Sequence, residues 1–139
     1  MNLQKDMERF FVKTKRQKEI VDLTDKVNFF LEKSKIKNGI ISLFVTHTNC
    51  CLTTADLDPG TDQDMLEAIE KIFPKGNYRH PHNPSHVGDH IMSSIIGPSL
   101  AMPIENGKLV LGTWQRVILI ELSGPREREI VLEFIQADK

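Results

Sequence analysis

The sequence predicts an α+β fold: a single compact domain, mainly antiparallel sheet, with two long helices and one short helix. Three observations carry this. Residues 17–34 and the stretch after Asp58 place their apolar side chains at helical intervals. The last third of the chain is a series of short apolar segments punctuated by Asn106-Gly107 and Gly124-Pro125. The 139 residues, 40% hydrophobic and 27% charged, match one ordinary globular domain spanning residues 1–139.

The elements follow in order. Residues 8–14, rich in aromatic and β-branched side chains, read as a strand. Ile20, Leu23, Val27, Phe30 and Leu31 give residues 17–34 a helical stripe, and Asn38-Gly39 ends it. Residues 40–46 form a nearly continuous apolar run, the pattern of a central strand buried on both faces. Residues 52–57 read as the next strand. Asp58 as N-cap and Pro59 at the first helical position open a second helix, with Met65, Ile69, Ile72 and Phe73 as its stripe and Pro74 and Gly76 as its stop. Residues 77–88 show no periodicity. A short helix over residues 91–96 follows, with Asp89 as its N-cap. Residues 100–104 and 108–113 form a hairpin about Asn106-Gly107, the strongest short hairpin sequence. Residues 115–122 and 129–135 form a further strand pair about Gly124-Pro125.

Composition narrows the function. Lys plus Arg is 18 and Asp plus Glu is 19, so the net charge is −1. A nucleic-acid binder relying on counterion release carries a basic excess, which this chain lacks. The longest strongly apolar stretch, residues 117–122, is interrupted by Glu121 and is far short of the ~20 residues that span a bilayer. The first ten residues contain Asp6 and Glu8 and no apolar signal core. The cysteines, Cys50 and Cys51, are adjacent, which disfavours a bond between them and fits free thiols in a reducing compartment. The expectation is a cytoplasmic protein with neither nucleic acid nor membrane as partner.

The five histidines carry the chemical information. His80, His82, His86 and His90 fall in and beside the irregular segment, and His47 follows the central strand directly. Imidazole is the commonest metal ligand and titrates near neutral pH. No spacing here matches a zinc signature such as HExxH, and loop histidines are often merely solvated. His90 stands at a helix start, where a cationic ring is disfavoured and where free N–H groups can take a phosphate, with Ser93 and Ser94 one turn on. Asp56, Asp58, Asp62 and Asp64 lack the EF-hand register, and Asp56 is the one placed to face the histidines. Cys50 and Cys51 read first as small buried apolar side chains, and as ligands or nucleophiles only second. Trp114 reads first as a packing residue. Arg126 and Arg128 can bind an anion, although a charged hairpin tip is usually only solvated.

Four stretches together resemble the secondary thiamine-phosphate synthase family, also called YjbQ-like. They are Val45-Thr46-His47-Thr48 with Leu52-Thr53-Thr54; Asp89-His90-Ile91-Met92-Ser93-Ser94 running into Gly97-Pro98-Ser99-Leu100; Pro103-Ile104-Glu105-Asn106-Gly107 with Leu111-Gly112-Thr113-Trp114-Gln115; and Gly124-Pro125-Arg126. Their order and intervals are similar over nearly the whole chain, and Tyr78-Arg79-His80 aligns with a further His-containing stretch. The resemblance implies a homotrimer, a site using His47 and His90, and thiamine phosphate synthase activity. That reaction joins hydroxymethylpyrimidine diphosphate to a thiazole phosphate and releases pyrophosphate. Two departures stand out: Cys50-Cys51, where small residues are commoner, and Asp89, where Ala is commoner.

Three readings follow. The first is a transferase of this type acting on a phosphorylated small molecule. A divalent ion, zinc or magnesium, is held by His47, His80 and His90; His47, Asp56 and His90 are catalytic; Ser93, Ser94 and Arg126 contact phosphate. The second is a metal-dependent hydrolase of a phosphorylated small molecule at the same histidines. The third is a non-catalytic trimeric protein that binds an anion or metabolite.

Overall fold

Two antiparallel sheets stack face to face; two helices cover the outer face of the smaller sheet and a third packs into the core between the sheets. The computed structural model describes residues 6–73, 79 and 87–137. The element order is β1 (Asp6–Lys13), β2 (Glu19–Asp22), α1 (Thr24–Ser34), β3 (Gly39–Val45), β4 (Cys50–Ala55), α2 (Thr61–Ile72), α3 (Val87–Ile96), β5 (Ser99–Glu105), β6 (Lys108–Leu109), β7 (Arg116–Glu121) and β8 (Glu127–Gln136). One sheet has the order β1-β8-β3-β5-β6 and the other β2-β7-β4.

The α+β class and the antiparallel pairing are as predicted, but the sheet is two sheets. β7 and β8, expected as a pair, belong to different sheets, so the Gly124-Pro125 segment crosses between layers. The reason lies in β7. Its residues from Val117 to Glu121 are all buried, because one face meets the five-stranded sheet and the other meets helices. Val117 and Leu119 join the core between the sheets with Ile41, Leu43, Leu132 and Phe134. Ile118 and Ile120 join a second core with Leu66 and Ile69 of α2 and Met92 of α3. Cys50 and Cys51 divide the same way, one into each core, because neighbouring strand residues point to opposite faces.

Other boundaries shift for local reasons. Residues 17–34 are a strand followed by a helix. Ile20 and Val21 are β-branched and pair with β7, a partner that periodicity cannot reveal. The Asp22 carboxylate then accepts hydrogen bonds from the Thr24 backbone N–H (2.9 Å) and hydroxyl (2.7 Å), which starts α1. The helix ends at Lys35, in the left-handed region at φ 62°, before Asn38-Gly39. Gly39 serves the sheet instead: a Cβ there would collide with the Ile135 carbonyl.

Asp58 does not cap α2. Its carbonyl accepts the Thr61 N–H in a turn, and Gly60 at φ 91° precedes the helix. Leu66 and Ile69 are the residues α2 buries, whereas Ile72 is exposed. The helix expected over residues 91–96 begins at Val87 and is almost as long as the others, so Asp89 lies within its first turn. The Asn106-Gly107 turn forms as predicted, both residues at positive φ. The strand beyond it shrinks to Lys108–Leu109. No described helix is long and apolar enough to cross a membrane.

Candidate functional site

The site is built at one end of the central strand. β3 carries the chain into the interior on Ile41, Leu43 and Val45, and residues 46–49 then turn it back into β4. Thr46 stays attached to β8: its hydroxyl donates to Glu129 Oε1 at 3.2 Å. The next side chain, His47, turns toward the same strand, where its Nε2 accepts the backbone N–H of Glu129 at 2.9 Å. An N–H can only be accepted by a nitrogen with a lone pair, so the neutral ring carries its proton on Nδ1.

The charge state follows from the surroundings. Burial is the largest cause holding His47 below the ordinary imidazole value, and the Arg128 guanidinium adds to it. Glu129 and Glu121 oppose this, and Arg126 reinforces it. His47 is therefore a neutral hydrogen-bond donor through Nδ1.

His90 is anchored through its other nitrogen. It lies in the first turn of α3, and its Nδ1 is 3.3 Å from the Thr48 carbonyl oxygen, which can only accept. The proton then sits on Nδ1 and the lone pair on Nε2, a tautomer assigned from the hydrogen bond itself. The two rings thus turn different nitrogens to the backbone, Nε2 in His47 and Nδ1 in His90.

A cavity of about 490 Å³ lies between them, lined by His47, Thr48, His90, Ser93, Ser94 and Pro98. The two serines differ. Ser94 donates to the His90 carbonyl oxygen at 2.9 Å, the usual local bond of a helical serine. Ser93 is only 5% exposed, and its hydroxyl has no hydrogen-bond partner among the described residues. A buried hydroxyl without a partner is costly, so this one is suited to a ligand.

Beneath His47 lies a buried ion pair. Arg128 donates to Glu121 through Nε (2.8 Å) and Nη2 (2.6 Å), and the Thr14 hydroxyl donates to the same carboxylate at 2.8 Å. Arg128 is 4% exposed and Glu121 is fully buried. These contacts hold the Glu121 carboxyl below its ordinary range against burial, which acts the other way. Arg128 is thus no solvated hairpin tip. The signal was Glu121 itself, a charge inside an apolar strand that requires a partner.

The structure brings His47, His90, Ser93 and Ser94 together. Arg126 lies close enough for its charge to act on His47, although its Nε is turned to the Ser123 carbonyl at 3.2 Å. Asp56 is placed elsewhere. It is exposed, accepts the Asp58 backbone N–H, and lines a separate cavity with Trp114 and Arg116. Trp114 packs against little, being 69% exposed. Asp89, the departure from the family pattern, accepts from Lys18 Nζ at 2.9 Å and so ties α3 to the loop before β2.

The two thiols are fully buried, and burial pushes Cys50 up to about 11 and Cys51 up to about 12. Neither thiol suits nucleophilic or ligand chemistry.

His80 lies outside the described residues, as do His82 and His86. Among the described residues no three His, Cys, Asp or Glu side chains converge as metal ligands. The tautomers show how far the expected trio fits. A ligating nitrogen needs a lone pair, which His90 has on Nε2 with its other nitrogen oriented by a carbonyl, as bound imidazoles usually are. His47 has spent its lone pair on Glu129, so His47 as placed does not fit a metal.

The sequence and the fold both have close matches. Residues 8–137 match the family model described as UPF0047 protein YjbQ-like. A UPF0047 protein of Archaeoglobus fulgidus is 35% identical over 123 residues, 88% of this chain and 95% of that one. UPF0047 protein YugU of Bacillus subtilis is 31% identical over 125 residues, 89% of this chain and 95% of that one. Among solved structures, a YbjQ-like protein of unknown function from Sulfolobus solfataricus superposes with a TM-score of 0.92 at 34% identity, covering 98% of this chain and all of that one. A yjbq/upf0047 protein from Clostridium acetobutylicum gives 0.86 at 34% identity, covering 92% and 99%.

Proposed function

Starting from the YjbQ-like UPF0047 family, to which this chain belongs, we propose that it is an enzyme acting on a phosphorylated small molecule, a transferase of the thiamine phosphate synthase type. The observation that carries this reading is the pair of imidazoles on one cavity, His47 anchored to the backbone through Nε2 and His90 through Nδ1.

The reaction breaks the bond between the pyrimidine methylene carbon and the diphosphate oxygen and forms a bond from that carbon to the thiazole nitrogen. Diphosphate leaves with the electron pair. His47 Nδ1–H and the Ser93 hydroxyl donate to the departing oxygens, where a preorganised donor counts most. Arg126 supplies positive charge on the same side. His90 Nε2 accepts a hydrogen bond from the amino group of the aminopyrimidine, which helps the ring push out the leaving group.

Incubating the protein with both phosphorylated precursors tests the reading. The expected result is thiamine phosphate above a protein-free control, with a loss of about 10²-fold or more in His90→Ala and in Ser93→Ala plus His47→Ala. No product with magnesium, zinc or manganese present overturns it. The same pair also fits hydrolysis, with His90 accepting a proton from water. Phosphate or pyrophosphate release without the thiazole partner assigns that activity. Thermal stabilisation by the precursors with no turnover assigns binding alone.

A further inference from the structure

We infer that Lys18 is a specificity residue of the histidine cavity: it lets the cavity take an anion by cancelling the charge of Asp89. The inference rests on the reading of that cavity as a phosphate site. Asp89 lies in the first turn of α3, four residues before Ser93. Residues four apart on a helix are neighbours, with Cβ atoms ~5–6 Å apart. The Asp89 carboxylate is therefore one turn from the Ser93 hydroxyl. That hydroxyl is buried, belongs to a residue lining the cavity, and has no hydrogen-bond partner among the described residues.

An acid in a first helical turn is favourable in itself, because it meets the positive end of the helix dipole. For a phosphate bound at Ser93 it is a competitor. It uses the same positive end and adds a like charge one turn away. Lys18 removes that obstacle. Its Nζ lies 2.9 Å from Asp89 Oδ1, and the two side chains are only 20% and 16% exposed. Partly buried charges are screened less than charges in open solvent, so both the repulsion and its cancellation act at close to full strength.

The pair is not needed to place either element. Residues 14–18 join β1 to β2, and backbone groups already hold them. The Gly124 N–H donates to the Gln17 carbonyl at 2.9 Å, the Thr14 N–H to the Arg126 carbonyl at 2.8 Å, and the Arg126 N–H to the Thr14 hydroxyl at 2.9 Å. α3 is held by Met92, in the core with Leu66 and Ile69, and by His90 against the Thr48 carbonyl. Lone ion pairs with partial solvent access add little to stability. What Lys18 alone supplies to this turn is charge.

Calorimetric titration with inorganic pyrophosphate at low ionic strength, without added metal, tests this apart from any turnover. Ser93→Ala weakens binding, which locates the probe in the cavity. Lys18→Met weakens it about tenfold, because the Asp89 charge is left uncompensated. Asp89→Asn acts in the opposite direction and strengthens it about threefold or more, because Lys18 is then an unpaired cation. The double variant returns to within about threefold of wild type, since it restores the same net charge. A bridge that only held α3 in place would weaken binding in both single variants and in the double. Far-UV circular dichroism checks that each variant is folded. Should Lys18→Met not fold, the direction of Asp89→Asn decides alone. A wild type that binds no pyrophosphate, or binding unchanged in Ser93→Ala, overturns the phosphate reading and this inference together. Binding that depends on Ser93 but falls in Asp89→Asn, or holds in folded Lys18→Met, overturns this inference alone.

Discussion

The backbone N–H of Glu129 donates to Nε2 of His47 at 2.9 Å. One backbone bond from a central strand thereby assigns the proton of a cavity-lining imidazole. Protonating Nε2 would set two donors against each other, so the ring stays neutral unless the loop moves. This makes His47 a donor by construction.

The tautomer is directly observable. Long-range proton–nitrogen NMR correlations of the imidazoles will show His47 protonated at Nδ1 and not at Nε2, and its titration will lie below the ordinary imidazole range. An Nε2–H tautomer, or titration above that range, overturns the assignment. Metal content gives a second check: any stoichiometric metal in the purified protein stays bound in His47→Ala. Its loss there would show that His47 is a ligand.

Stability will fall on acidification in two steps. His47 binds its proton less readily when folded than unfolded, so below about pH 6.5 the unfolded chain takes up the extra proton and gains relative to the folded one. Glu121 is also held below its ordinary value, so its contribution is full above about pH 4.5 and is lost as the pH falls further. Urea unfolding between about pH 2.5 and 8 measures this, and His47→Asn removes the upper step. An upper step unchanged in His47→Asn would assign it to another group.

The buried ion pair is sensitive to loss of either partner alone. Arg128→Met leaves the Glu121 carboxylate buried without its cation, at a cost of about 3–5 kcal/mol in urea unfolding. Adding Glu121→Leu recovers most of that, because the double variant buries no charge. A double variant no more stable than Arg128→Met would mean that the pair itself, not the stranded charge, supports the fold.

The thiols will be inert in the folded protein. With values of about 11 and about 12, Cys50 and Cys51 are thiolate in on the order of one molecule in three thousand or fewer at pH 7.5. Labelling by a thiol-specific disulfide reagent will be at least ~100-fold slower than after unfolding. Labelling at the unfolded rate would contradict their burial.

Periodicity and punctuation alone determined a good deal. The α+β class, the strand that becomes β3 and the turn at Asn106-Gly107 follow from local pattern, because side-chain period and turn chemistry are properties of a few adjacent residues. That His47 and His90 lie near each other was readable through the resemblance, and Ser93 and Ser94 through their place one turn on from His90; the four line one cavity. Where two periods compete, the local pattern fails. Ile20 and Val21 fit either a helix or a strand, and only β7 lying beside them selects the strand.

The remaining decisions belong to tertiary structure. β7 and β8 part into different sheets because β7 is apolar on both faces and has a core to meet on each side. Asp56 lies in a different cavity from the histidines because it follows the last residue of β4, whereas Thr48 and His90 meet just before the first. The buried pair of Arg128 and Glu121, and the backbone bond that assigns the His47 proton, join residues far apart in the chain. A sequence specifies which groups can donate and accept; only packing brings one donor to one acceptor, and here that choice makes two identical side chains chemically different.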